Sequence, residues 1–121
     1  MFSIFSRPFI ASYEENQNAL ILNIHVKSKK CGFINISQEH VIFQFYYGWT
    51  NVGKGALKIE NVSFKYVNNE LIIFKVVNDQ KIAAFNCNRF IYEKAFEFLQ
   101  VKQRERGSSK FRSNLDEFLK Q

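Results

Sequence analysis

Residues Tyr46–Gly55 read YYGWTNVGKG, and Ala56–Val62 continue as ALKIENV. Gly48, four intervening residues, Gly53 and Lys54 reproduce most of the G-x-x-x-x-G-K-[ST] phosphate-loop pattern, and Gly55 stands where the hydroxyl should be. A working phosphate loop needs a strand before it, a helix N-terminus behind it and that hydroxyl to hold magnesium. Here ALKIENV alternates as a strand, and no strand–helix–strand pattern elsewhere offers a parallel sheet. The stretch therefore predicts a glycine-rich hairpin loop between two antiparallel strands, binding no nucleotide, in a mainly β chain.

Working outward, Leu20, Leu22, Ile24 and Val26 alternate with Ile21, Asn23 and His25, the period of two that a half-buried strand shows. KSKKCG interrupts this run, and FINIS and HVIFQFYY follow on either side of Gln38-Glu39. Beyond the glycine-rich loop come LKIENV, SFKYVNN, ELIIFKVV and KIAAFNC, punctuated by Asn68-Asn69 and Asn78-Asp79-Gln80. Seven strands fit between Ala19 and Cys87.

At Asn88 the period changes. Ile91, Ala95, Phe98 and Leu99 recur at helical spacing behind an Asn88 N-cap, with Lys102, Arg104 and Arg106 in a last turn that Gly107 closes. The spacing predicts a helix over 89–105. Gly107-Ser108-Ser109 reads as a flexible joint, followed by a short terminal helix carrying Phe111, Leu115, Phe118 and Leu119 on one face. The expected organisation is a single domain over 1–121: an N-terminal apolar segment (1–18), a core (19–106), and the joint with its short helix (107–121).

With 121 residues, 46% apolar and 17% aromatic, the chain has the composition of a folded domain. A chain of this size buries roughly 65% of its unfolded surface. Its apolar runs fall short of the roughly 20 residues of a membrane span, and the start, MFSIFSRPFIASY, lacks a basic region ahead of its apolar stretch and contains Arg7 and Pro8. A cleaved signal peptide is not expected. Cys31 and Cys87 form no C-x-x-C pair, and His25 and His40 add too little for a zinc site, so reduced thiols, a cytoplasmic compartment and no metal or cofactor are expected. No nucleophile or carboxylate pair stands at recognisable spacing beside either histidine, so no catalytic residues are assigned.

Seven strands followed by one amphipathic helix resemble the pleckstrin-homology-like superfold, including its bacterial and GRAM-type members. The likeness is carried by GFINISQEHVIFQF, GALKIENVSFKYVNN, ELIIFKVVNDQKIAAFN and RFIYEKAFEFLQ, over about residues 19–106. It implies antiparallel strands in two near-orthogonal sheets, or a partly open barrel, whose open end the helix plugs through Phe90, Ile91, Phe98 and Leu99. Phosphoinositide-binding members hold the headgroup with basic residues around the loop joining the first two strands. Lys27, Lys29 and Lys30 occupy that loop here, while Phe33, Asn35 and Ser37 stand on the strand where those members place an arginine. The resemblance thus implies a non-enzymatic binding module with a protein partner.

Two sets of candidate residues follow. Tyr46, Tyr47 and Trp49, three large rings beside glycines, have the make-up of a protein-binding surface. Lys27, Lys29 and Lys30, together with Lys102, Arg104, Arg106, Lys110 and Arg112, are candidates for contact with a polyanion. The net charge is +6, and between Val101 and Arg112 five basic residues against Glu105 leave a local +4. At about 1 kcal/mol per basic residue near an anionic membrane, that cluster contributes about 4 kcal/mol, a weak peripheral attachment. Phe2, Ile4, Phe5, Phe9 and Ile10 would supply a second anchor by inserting at the interface, although an extra strand packed on the domain is the more ordinary fate of such a segment. The alternative to a protein partner is a small basic nucleic-acid-binding protein, and the weaker alternative is an anionic-lipid-binding domain.

Overall fold

The structure, a computed structural model, describes residues 7–47 and 50–120, with the backbone alone described for 47, 50–52 and 108–120. Eight strands precede one helix: β1 (Phe9–Glu15), β2 (Leu20–Val26), β3 (Lys29–Ile36), β4 (His40–Tyr47), β5 (Thr50–Lys58), β6 (Val62–Val67), β7 (Glu70–Lys75), β8 (Gln80–Asn86) and α1 (Arg89–Lys120). The strands form one open sheet in the order β5-β4-β3-β2-β1-β8-β7-β6. Within β1–β5 and within β6–β8 every neighbour is antiparallel. The two parts meet at a single parallel pairing, Phe9 with Asn86.

The mainly β class and the C-terminal helix agree with the sequence. Seven strands in two sheets do not: among the described residues there are eight, in one mixed sheet that does not close. The additional strand is β1, in the N-terminal apolar segment set outside the seven-strand core, whose Phe9 and Ile10 thus take the extra-strand fate and not that of a membrane anchor. A bulge between Ile10 and Ser12 adds Ala11 and shifts the phase, so that Ile10 and Tyr13 both pack against the core and no alternation shows.

The described part of the stretch read as a glycine-rich loop, from Thr50 to Gly55, is also strand. In β5, Gly53, Lys54 and Gly55 pair with Phe45, Gln44 and Phe43 of β4. A Cβ on Gly55 would stand 2.8 Å from the Phe43 ring, so the glycine makes room for an aromatic across the strand pair. Ile59–Asn61, expected as strand, is a 3-10 turn with Ile59 buried.

The core gathers Leu20, Leu22 and Ile24 of β2, Ile34 and Ile36 of β3, Leu71 and Ile73 of β7, and Leu99 of α1, all fully buried. Each such side chain contributes about 1.5–3 kcal/mol. Asn68 and Asn69 (φ 51° and 62°) make the tight turn between β6 and β7, where the sequence placed it.

α1 begins where expected: the Asn88 side-chain oxygen accepts the Ile91 N–H at 2.8 Å. Ile91, Ala95 and Leu99 are buried and Phe98 packs beside them, but Phe90, expected in the plug, is 66% exposed. Lys94 bridges to Glu15 of β1 at 2.8 Å. The Gln103 amide donates to the carbonyls of Ile59 (2.9 Å) and Val62 (2.8 Å), and the Tyr92 hydroxyl donates to Phe64 O at 3.4 Å. The helix is continuous for 32 residues, about 48 Å, through Gly107–Ser109, so the expected joint and separate short helix are one element.

Candidate functional site

The β2–β3 hairpin turns on Lys27 and Ser28, with Lys27 at φ 58°. On its return, β3 carries a bulge: Ile24 pairs with Gly32 and His25 with Lys30, leaving Cys31 as the added residue. At Gly32 the strand lies so close to β4 that a Cβ would stand 2.2 Å from Gln44 O and 2.9 Å from Phe45 Cα. Only glycine fits there. The bulge and the close approach re-aim the side chains around them and open a cleft of about 480 Å3.

Val26, Phe33 and Tyr46 form its apolar walls, Gly32 and Cys31 lie along it, and Lys29 and Lys30 stand at its rim. Tyr46 is 42% exposed, and its hydroxyl meets the Gln44 side-chain amide. The pairing of β3 with β4 therefore unites members of both candidate sets: the aromatic Tyr46 and the hairpin lysines. An apolar slot rimmed by two ammonium groups suits a ligand group with an apolar body and a carboxylate end.

Electrostatics extend this character over β2–β5. From Leu20 to Lys58 the chain carries Lys27, Lys29, Lys30, Lys54 and Lys58 against Glu39, five against one, or +4 of the total +6. Among the described residues none of these five lysines forms an ion pair, while Glu39 lies 4.0 Å from Arg106. The concentration of charge expected at residues 101–112 thus has a counterpart on the sheet.

The helix cluster itself is dispersed. Lys102, a candidate for polyanion contact, is only 6% exposed; its ammonium donates to Gln17 O and meets Glu105, both at 3.3 Å, and lies 5.1 Å from the centre of the Phe98 ring. Arg106 faces Glu60 at 3.8 Å and Glu39 at 4.0 Å. Arg104 is exposed. Trp49 lies outside the described residues, as do the side chains of Tyr47, Lys110 and Arg112.

The thiols are held as thiols. Burial raises the Cys31 pKa, and its S–H points to Ile24 O at 3.6 Å. Burial pushes Cys87 up to about 12, partly offset by the Tyr92 backbone N–H. His25 packs against Phe9, ring centres 6.0 Å apart. Among the described residues no three His, Cys, Asp or Glu side chains come together as a metal site, and no helix is long and apolar enough to cross a membrane.

Sequence reasoning named Lys29, Lys30 and Tyr46 but not Val26, Cys31, Gly32 or Phe33. The cleft they share depends on the bulge at Cys31, which leaves no mark in the hydrophobic pattern. Comparison of the chain with family models, with curated proteins and with solved structures returned no match.

Proposed function

We propose that the chain is a non-enzymatic binding module, related in its order of elements to the pleckstrin-homology-like superfold, that recognises a protein partner through the cleft between the β2–β3 hairpin and β4. The observation that carries this reading is the convergence of Tyr46 and Phe33 with Lys29 and Lys30 on one cleft. The aromatic walls provide the desolvated anchor on which interface energy concentrates, and the rim lysines select an acidic side chain or a chain-terminal carboxylate. Superfold alone does not specify a partner, so the reading rests on the site. Burial of Lys102 and the pairing of Arg106 favour the cleft over the helix cluster as the place of contact.

The experiment is capture of partners from the source cell by the full chain and by two variants, Tyr46→Ala and the double charge reversal Lys29→Glu/Lys30→Glu. Nuclease treatment and lipid extraction accompany each capture. The reading expects a protein retained by the parent chain after both treatments and lost from both variants. Retention that disappears with nuclease or with lipid extraction contradicts it in favour of nucleic acid or membrane.

A further inference from the structure

The two free edges of the sheet are finished differently. At β6, the Val62 and Phe64 carbonyls are taken by Gln103 and Tyr92 of α1, so that the helix covers this edge. At the other end, β5 is nine residues long and has β4 as its one neighbour in the sheet. Among the described residues no side chain or loop backbone bonds to its outer edge. Alternate N–H and C=O groups of β5 therefore face away from β4 without partners among the described residues.

The side chains on this strand define what it accepts. Lys54, Ala56 and Lys58 are exposed on one face, while Gly53, Gly55 and Leu57 stand on the other. Neither lysine has a carboxylate partner among the described residues. A second copy of this chain is a poor occupant. Antiparallel self-pairing centred on Ala56 sets Lys54 opposite Lys58, pairing centred on Lys54 sets that lysine opposite its own copy, and pairing centred on Gly55 sets Lys54 opposite Ala56 with its own copy on the near diagonal. Like charges directly opposite one another across a strand pair are destabilising.

We propose that β5 receives an acidic, extended segment of the partner protein as an added antiparallel strand, with carboxylates placed opposite Lys54 and Lys58. Main-chain hydrogen bonds supply affinity largely independent of side-chain sequence, and the two lysines supply the preference for acid. This deepens the protein-binding reading and rests on it, but it is a separate contact. The cleft is formed by the β2–β3 hairpin with Tyr46 of β4 and opens inward of β5, whereas the proposed contact is the outer edge of β5.

The test uses the full 15N-labelled chain and a peptide of alternating valine and glutamate, with two controls. One control is the same peptide N-methylated at successive central residues, and the other is a valine–lysine peptide. Exchange of the outward amides of β5, those of Lys54, Ala56 and Lys58, should slow about tenfold when the valine–glutamate peptide is present at ten times its Kd. Neither control should slow it. Lys54→Glu/Lys58→Glu, whose side chains are exposed, should transfer the protection to the valine–lysine peptide.

Equal protection by the N-methylated peptide, or none on β5 at millimolar valine–glutamate peptide, overturns the proposal. Protection confined to Lys29–Phe33 also overturns strand addition while leaving the cleft reading intact. Protection of β5 without peptide that grows with protein concentration assigns the edge to a second copy and overturns it as well. Should the charge-reversed variant fail to fold, the comparison of the three peptides on the parent chain decides alone. Failure of the module reading itself shows separately, as partner capture unaffected by Tyr46→Ala.

Discussion

The ammonium group of Lys102 lies 3.3 Å from the carbonyl oxygen of Gln17, joining the middle of α1 to the loop between β1 and β2. The same group meets Glu105 and lies over Phe98, so a residue whose neighbours in sequence suggest a solvated basic cluster is part of the helix–sheet packing. Lys102→Ala should therefore lower stability by about 1–3 kcal/mol, since it removes a buried charged hydrogen bond and the packing of its aliphatic stem. Arg104→Ala, at an exposed position, should change stability by less than about 0.5 kcal/mol. Urea denaturation of the two variants checks the contrast.

Gly32 and Gly107 make an opposed pair. Gly32→Ala forces a methyl group against Gln44 O and the Phe45 backbone, and should cost about 1–3 kcal/mol or more while disturbing the cleft. Nothing lies within 4 Å of a Cβ on Gly107, which sits inside α1. Gly107→Ala should stabilise the chain by about 0.5–1 kcal/mol and raise its helicity. A helix that ended at Gly107 in a left-handed cap would respond with a loss, so thermal denaturation monitored by circular dichroism discriminates between the continuous helix and the joint.

The two cysteines should differ in rate and in pH response. Cys31 lines the cleft and should react first with a disulfide reagent, and more slowly once a partner fills the cleft. Cys87 is buried and should react only as the protein opens. Burial raises the Cys87 pKa from 9.0 to about 12, so the unfolded chain releases this proton first as pH rises. Its contribution to stability is fully present below about pH 9 and is lost between pH 9 and about 12. Cys87→Ala should flatten the decline of stability over that window, measured by denaturant titration at successive pH values.

Much of the fold is legible because burial follows simple periods. Leu20, Leu22 and Ile24 alternate into the core, Asn68-Asn69 turns the chain, and Asn88 caps the helix. The pattern fails where backbone irregularity or cross-strand packing decides. Ala11 in a bulge breaks the alternation of β1, so that only its apolar character suggests a strand, and Gly53 and Gly55 imitate a loop although they lie opposite Phe45 and Phe43. Gly107 reads as a terminator but is carried inside a helix already docked on the sheet through Ile91, Ala95 and Leu99. The candidate site is half legible. Its lysines and tyrosine stand out by type, while the cleft that joins them is made by strand pairing and the bulge at Cys31, which no single segment encodes.

Protein recognition through the cleft is tested most directly by calorimetric titration of the captured partner into the parent chain and into Tyr46→Ala, at low and at moderate salt. Truncation of an aromatic anchor in a desolvated site should cost about 2 kcal/mol or more, roughly thirtyfold in Kd. That loss should persist at moderate salt, and Trp49→Ala should act in the same direction. Undiminished binding by Tyr46→Ala would contradict the account. So would affinity that is set by salt and abolished by charge reversal of Arg104, Lys110 and Arg112, because the contact would then belong to a polyanion and not to the cleft.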